Sequence, residues 1–218
     1  MFFESFADFD YAIASSIHSF AEATGGKLNL LFRAITILGD KGLILILISA
    51  ILLLFKKTRK TGSTALIALA IGAILTNVIL KNAIFRARPF EDATSDYYDW
   101  WLFTGSLFED KSSFPSGHST AAMAFGLSFF LTMDKRWSWS ALILTLLIGL
   151  SRIYFSVHYA SDVLFGFING AIGATASFFL FDWLYAYMLR HAENKFVKFW
   201  FSFSIIDLFK KKGKFNLI

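Results

Sequence analysis

The sequence predicts an all-α polytopic membrane bundle of five to six spans, preceded by amphipathic N-terminal helices. Of its 218 residues 56% are apolar, and mean hydropathy is positive, which is too apolar for one soluble core of this size. Apolar stretches recur at 42–55, 64–80, 119–133, 137–150 and 163–189, and short connections rich in Lys and Arg separate alternate pairs of them. Cysteine is absent, so neither a disulfide framework nor a thiolate site is available, and other residues must carry any chemistry.

Residues 1–38 mix Phe, Ile and Leu with Asp, Glu and Lys around Gly25 and Gly26, the pattern of two short helices lying at an interface, with a sixth span possible here. Glu4, Asp8 and Asp10 come too early for a secretory leader, so insertion is expected to rely on the spans themselves. Each of the five apolar stretches reads as a helix that borrows flanking residues to reach the about 20 needed to cross hydrocarbon. With no repeat or linker, 1–218 is expected to be one membrane-embedded domain: an interfacial segment 1–38, a catalytic helical core 39–189 and a basic cytoplasmic tail 190–218.

The net charge of +5 is gathered in short connections, which argues against nucleic acid and for membrane topology. Lys56, Lys57, Arg59 and Lys60, then Lys135 and Arg136, then Arg190, Lys195, Lys198 and the run Lys210, Lys211, Lys212 and Lys214 are expected on the cytoplasmic side. The connection from Lys81 to Pro115, rich in Asp and Glu, and the turn at Phe155 are expected on the other side.

Three polar clusters sit at those outer ends: Lys81, Arg88 and Pro89; Pro115, Ser116, Gly117 and His118; Ser151, Arg152, His158 and Asp162. Ionisable groups are costly near membrane depth, and three cations converging there suit an anionic substrate. Arg88 and Arg152 offer planar forks that match phosphate oxygens, and Lys81 a point charge, expected to share a helical face with Arg88 until Pro89. Ser116 and Gly117 stand where a helix begins, whose free N–H groups favour an anion. His158 and Asp162 are four apart, a spacing expected to put both on one helical face, where the carboxylate orients the imidazole for attack on phosphorus. His118, on another span, is placed to protonate the leaving oxygen.

In this order the clusters resemble the signature of the type 2 phosphatidic acid phosphatase family, which shares its pocket with vanadate-dependent haloperoxidases: Lys, six residues, Arg-Pro; Pro-Ser-Gly-His; Ser-Arg, five residues, His, three residues, Asp. All three parts are present between Lys81 and Asp162. The resemblance implies a helical bundle with a phosphate pocket at the outer membrane face. It also implies His158 as nucleophile, His118 as acid and base, Asp162 as orienter, and Lys81, Arg88, Ser116, Gly117 and Arg152 as phosphate ligands, with no metal or cofactor. The expected activity is phosphate release from a lipid phosphate or diphosphate of the undecaprenyl diphosphate, phosphatidylglycerol phosphate or phosphatidic acid type, in a bacterial plasma membrane with the site facing outside. The alternative is a lipid phosphotransferase working through the same phosphohistidine; a non-enzymatic lipid transporter or scaffold ranks far lower, since no catalytic group is missing.

Other polar residues read as structural. Arg86 lies two residues from Arg88, an offset that points it elsewhere, so it is not counted as a phosphate ligand. His18 and His191 read as interfacial or solvated. Tyr97, Tyr98, Trp100, Trp101 and Phe103 read as an interfacial belt rather than a lid. Asp182, late in the last span, has no assigned role.

Overall fold

A computed structural model describes residues 2–206, which are almost wholly helical and contain no strand. The helices are α1 (Ala7–Ala23), α2 (Asn29–Gly39), α3 (Leu43–Leu53), α4 (Arg59–Ala73), the short turn α5 (Lys81–Ala83), α6 (Asp96–Thr104), α7 (Gly117–Thr132), α8 (Lys135–Tyr154), α9 (Ala160–Arg190) and α10 (Lys195–Ser202). A π-helical stretch, Ile74–Leu80, joins α4 to α5. Four helical runs have the length and apolar composition to cross a membrane: Asn29–Leu53, Arg59–Ala83, Lys135–Tyr154 and Ala160–Arg190. These make the chain an integral membrane protein. The remaining expected stretch, 119–133, is α7, which is shorter and packs against α4, α8 and α9 in the middle of the bundle.

The segment 1–38 divides differently from the interfacial pair expected. Only α1 stands apart; α2 runs into α3 across a tight turn at Asp40–Gly42, and together they form the first long apolar run. Lys41 and Gly42 take positive φ there, a conformation glycine adopts without steric cost, and the chain resumes as helix at once. The break places Asp40, Lys41 and Gly42 on the wall of the central cavity.

Small residues set how closely the helices approach. A Cβ at Gly166 would come 2.6 Å from the Ser116 carbonyl oxygen, and one at Gly170 would come 2.4 Å from that of Thr120, so the backbones of α7 and α9 touch along this stripe. Several buried hydroxyls donate to backbone carbonyls of a neighbouring helix, as Thr145 does to Ala122 (2.9 Å) and Ser177 to Thr64 (2.6 Å). Side-chain caps fix helix starts: Ser116 accepts from the Ser119 N–H, Asp134 from the Arg136 N–H and Asn194 from the Phe196 N–H.

Every expected basic cluster within the described residues lies at the opposite end of the bundle from the three polar clusters. Arg59 opens α4, donates to the Leu53 and Phe203 carbonyls at 2.9 and 2.7 Å, and also bonds the Trp200 carbonyl, tying α10 to the bundle. Asp182 has a partner after all: its carboxylate pairs with Lys60 across α4 and α9. Lys210, Lys211, Lys212 and Lys214 lie outside the described residues.

Candidate active site

The site is assembled from three chain segments that hydrogen-bond to one another before any side chain enters it. After α5 the chain turns extended at Ile84, so Lys81 and Arg88 do not share one helix face as the seven-residue spacing suggested. Pro89 enforces extended geometry on Arg88, and the Arg86 carbonyl accepts the Ser113 N–H at 2.9 Å, fastening this segment to the loop that precedes α7. That loop delivers Ser116, whose N–H donates to the Asp162 carbonyl at 3.1 Å and so fastens the start of α7 to the start of α9.

His158 and Asp162 also differ from the expected shared helical face. His158 precedes α9, which begins at Ala160, while Asp162 sits in its first turn and accepts the Tyr159 N–H at 3.0 Å. Capping the helix is what turns the Asp162 carboxylate back toward the imidazole. His158 Nδ1 stands 3.5 Å from Asp162 Oδ2, close enough for charge pairing but without a formed hydrogen bond. Catalytic contacts in unliganded sites are often this long and tighten when substrate binds.

The other ring nitrogen faces a cavity of about 820 Å³. Lys81, Arg88, Gly117, His118, Arg152 and His158 line it; of the residues expected to bind phosphate, Ser116 does not. Ser116 is fully buried and spends its hydroxyl oxygen on the Ser119 N–H and hydroxyl. Beyond these groups the cavity continues between the broken first span and the α4 side, past Ile37, Ile46, Leu69 and Ala73, an apolar wall suited to a hydrocarbon chain.

A carboxylate that sequence reading left among the acidic loop residues sits in the middle of the cluster. Glu109 Oε2 lies 3.0 Å from Arg88 Nη1 and 3.6 Å from His158 Nε2; Oε1 pairs with Arg152 and lies 3.8 Å from His118 Nδ1. No spacing rule could have found it, because it arrives from a loop. Arg88 is further held by the carbonyls of Val157, Asp110 and Lys111, and Arg152 by Thr36 on α2. Burial lowers the Arg88 guanidinium to about 10, still fully charged at neutral pH. His158 is buried too, and desolvation, with Arg88 and Arg152 nearby, depresses it to about 3 against the opposing pull of Asp162. Its imidazole is therefore neutral through the physiological range, with Nε2 standing 3.3 Å from Arg88 Nη1.

His18, Arg86 and the aromatic segment 97–103 pack rather than line the cavity. Trp100 stacks on His18 at 5.1 Å, and Trp101 stacks on Phe90 at 4.9 Å while its indole N–H donates to Leu107. The aromatic segment thus straps α1 against the loops of the site, and His18, expected to be interfacial or solvated, is largely covered and paired with Glu22. His191 is exposed and bonds only its own helix end. Arg86 is directed behind His158, where it contacts Asp162 Oδ1 at 2.7 Å.

Comparison with known proteins finds relatives of this chain. The chain is 34% identical over 128 residues to an undecaprenyl-diphosphatase of Sulfolobus acidocaldarius, covering 57% of each protein. It is 34% identical over 127 residues to a lipid A 1-phosphatase of Rhizobium johnstonii, covering 53% of this chain and 50% of that one. The chain thus spans about half the length of these curated relatives. A crystal structure of a transmembrane phosphatidylglycerolphosphate phosphatase from Bacillus subtilis superposes with a TM-score of 0.54 at 27% identity, covering 83% of this chain and 94% of that one. The sequence profile of the PAP2 superfamily matches residues 62–205, a span that holds all three segments converging on Glu109, and the chain therefore belongs to that superfamily.

Proposed function

We propose that the chain is a lipid phosphatase that hydrolyses a lipid phosphate or diphosphate at the outer face of the membrane, through a phosphohistidine on His158 and without a metal. The observation that carries this reading is the carboxylate of Glu109, held at once by Arg88 and Arg152 and facing both histidines: an anion of carboxylate charge already occupies the place where a phosphate would be bound. A phosphate would displace Glu109 and take the two guanidinium forks bidentately, with Lys81 and the N–H groups at the start of α7 to share its charge.

In the first step Nε2 of His158 attacks phosphorus and the bond to the leaving oxygen breaks, with His118 giving that oxygen a proton. The imidazole becomes an N-phosphohistidine cation, which the Asp162 carboxylate behind it stabilises. In the second step His118 takes a proton from water, the water oxygen attacks phosphorus, and the P–N bond breaks to release phosphate and the neutral ring. Charge on the equatorial oxygens is carried by Arg88 and Arg152, whose buried, preset positions require no reorganisation. The basic residues at the far end of the bundle support a cytoplasmic placement of that end and an outward-facing site. The apolar cavity wall and the names of the relatives support a lipid substrate. A polyprenyl diphosphate fits an outward site, and phosphatidylglycerol phosphate and lipid A are the other classes those names suggest.

The test is phosphate release by detergent-purified protein from undecaprenyl diphosphate, phosphatidylglycerol phosphate, phosphatidic acid and lipid A, with EDTA present and His158→Ala alongside. Release that survives EDTA and disappears in the variant is expected. Release abolished by EDTA and restored by a divalent ion would refute the metal-free mechanism; transfer to an added alcohol in place of release would select the phosphotransferase.

A further inference from the structure

Behind His158, on the side away from the cavity, lies a set of charges of which the mechanism so far uses only Asp162. Arg86 Nη1 donates to Asp162 Oδ1 at 2.7 Å and to Ser161 Oγ at 2.8 Å, and its Nη2 donates to Asp10 Oδ2 at 2.7 Å. The guanidinium is sandwiched between rings, its Cζ 3.7 Å from the Tyr159 centroid and 4.4 Å from that of Phe3. Asp10, 1% exposed, comes from α1 and also accepts the Ser161 N–H at 2.7 Å and the Ser161 hydroxyl at 2.9 Å. Asp162 thereby has one oxygen fixed by Arg86 and the other by the Tyr159 N–H, which leaves its carboxylate no rotational choice.

Charge counting gives the set a purpose beyond a structural tie. Asp10, Arg86 and Asp162 sum to one negative charge, placed against the ring that turns cationic when phosphorus bonds to Nε2. A buried ionic group without that counter-charge would be costly, and removing one partner leaves another exposed to the full desolvation penalty. We propose that Asp10 and Arg86 are positioning residues for the reaction, holding Asp162 against Nδ1 of His158, so that helix α1 is a working part of the active site. This rests on His158 acting as the nucleophile.

The experiment uses the full-length protein in detergent with the same four lipids, comparing Arg86→Gln, Arg86→Lys, Asp10→Asn, the Asp10→Asn/Arg86→Gln pair and His158→Ala, each with its melting temperature and size-exclusion profile. Arg86→Gln is expected to lower kcat about 10–100-fold, the scale of outer-shell partners, with KM changed by less than about twofold. Arg86→Lys, which keeps the charge, recovers part of kcat; Asp10→Asn gives a smaller loss of the same kind, and the pair costs no more than Arg86→Gln alone, because both act through Asp162. A rise in KM at constant kcat would make Arg86 a phosphate ligand and overturn the proposal, as would losses that multiply in the pair or that follow the melting temperature without rescue by Lys. If Arg86→Gln does not fold, Asp10→Asn decides, and an unchanged kcat there overturns it. Turnover that survives in His158→Ala refutes the phosphohistidine reading instead, while a dead His158→Ala beside an unaffected Arg86→Gln refutes only the positioning role.

Discussion

The two nitrogens of His158 look onto regions built on opposite plans. Nε2 faces the open cavity that Arg88, Arg152 and His118 line, and the carboxylate paired with both guanidiniums there, Glu109, hangs from a loop and is 22% exposed. Nδ1 faces Asp162, backed by Arg86 and Asp10; the two carboxylates are buried, the Arg86 side chain is 9% exposed, and each is hydrogen-bonded to a partner inside the protein. In the proposed reaction the front exchanges one anion for another in every cycle, and its counter-charge is loosely mounted. The back makes no exchange and its charges are permanently paired, so it can hold geometry to a fraction of an ångström at no cost during turnover.

Substitutions that break this contrast have graded consequences. His158→Ala removes the group both regions serve and is expected to lower kcat by at least about 10⁴-fold, as loss of a nucleophile does elsewhere, measured as phosphate release under saturating lipid. Arg152→Ala, on the front, is expected to lower kcat/KM about 10²–10³-fold, the scale for one preorganised donor to transition-state charge, with kcat carrying most of the loss. Glu109→Gln sharpens the contrast from the other direction. With the resident carboxylate neutralised, inorganic phosphate should inhibit about threefold to fivefold more strongly, in line with about 1 kcal/mol for a partly exposed ion pair. An unchanged inhibition constant would show that Glu109 does not compete for the anion position.

The smallest effect concerns pH. His158 binds a proton near pH 6.5 when unfolded but only near 3 when folded, so over that window the unfolded chain holds more protons and stability falls as pH falls. The melting temperature in detergent should decline from about pH 6.5 downward, and less steeply in His158→Asn, because that variant removes the one titration in question. Equal slopes in the two proteins would mean that other groups account for the acid sensitivity.

The contrast also explains what could be read from sequence. Lys81, Arg88, Gly117, His118, Arg152 and His158 announce themselves by type and spacing, because a phosphate imposes fixed chemistry, and the fold brings these six to one cavity. Ser116 belongs to the same motif, yet its hydroxyl is absorbed by helix capping, a local competition that a motif cannot display. The all-helical class follows from apolar content alone, whereas the union of α2 with α3 depends on two left-handed residues at 41 and 42 that interrupt an otherwise continuous apolar pattern. Glu109, Asp10 and Thr36 are illegible because their partners lie far away in the chain, and no spacing matches Arg86 to a carboxylate 76 residues distant.

Glu109 has a final consequence for how ligands of this protein are detected. In the proposed site a phosphate that takes the guanidinium pair first releases a carboxylate, so the free energy seen by a thermal-shift assay is then a difference between two occupancies and not the strength of the phosphate contacts. Screens on the unmodified protein will therefore rank ligands by what they add beyond one anion, which favours those with a second phosphate or a long apolar tail. The same screen on Glu109→Gln would report the bare affinity of the pocket.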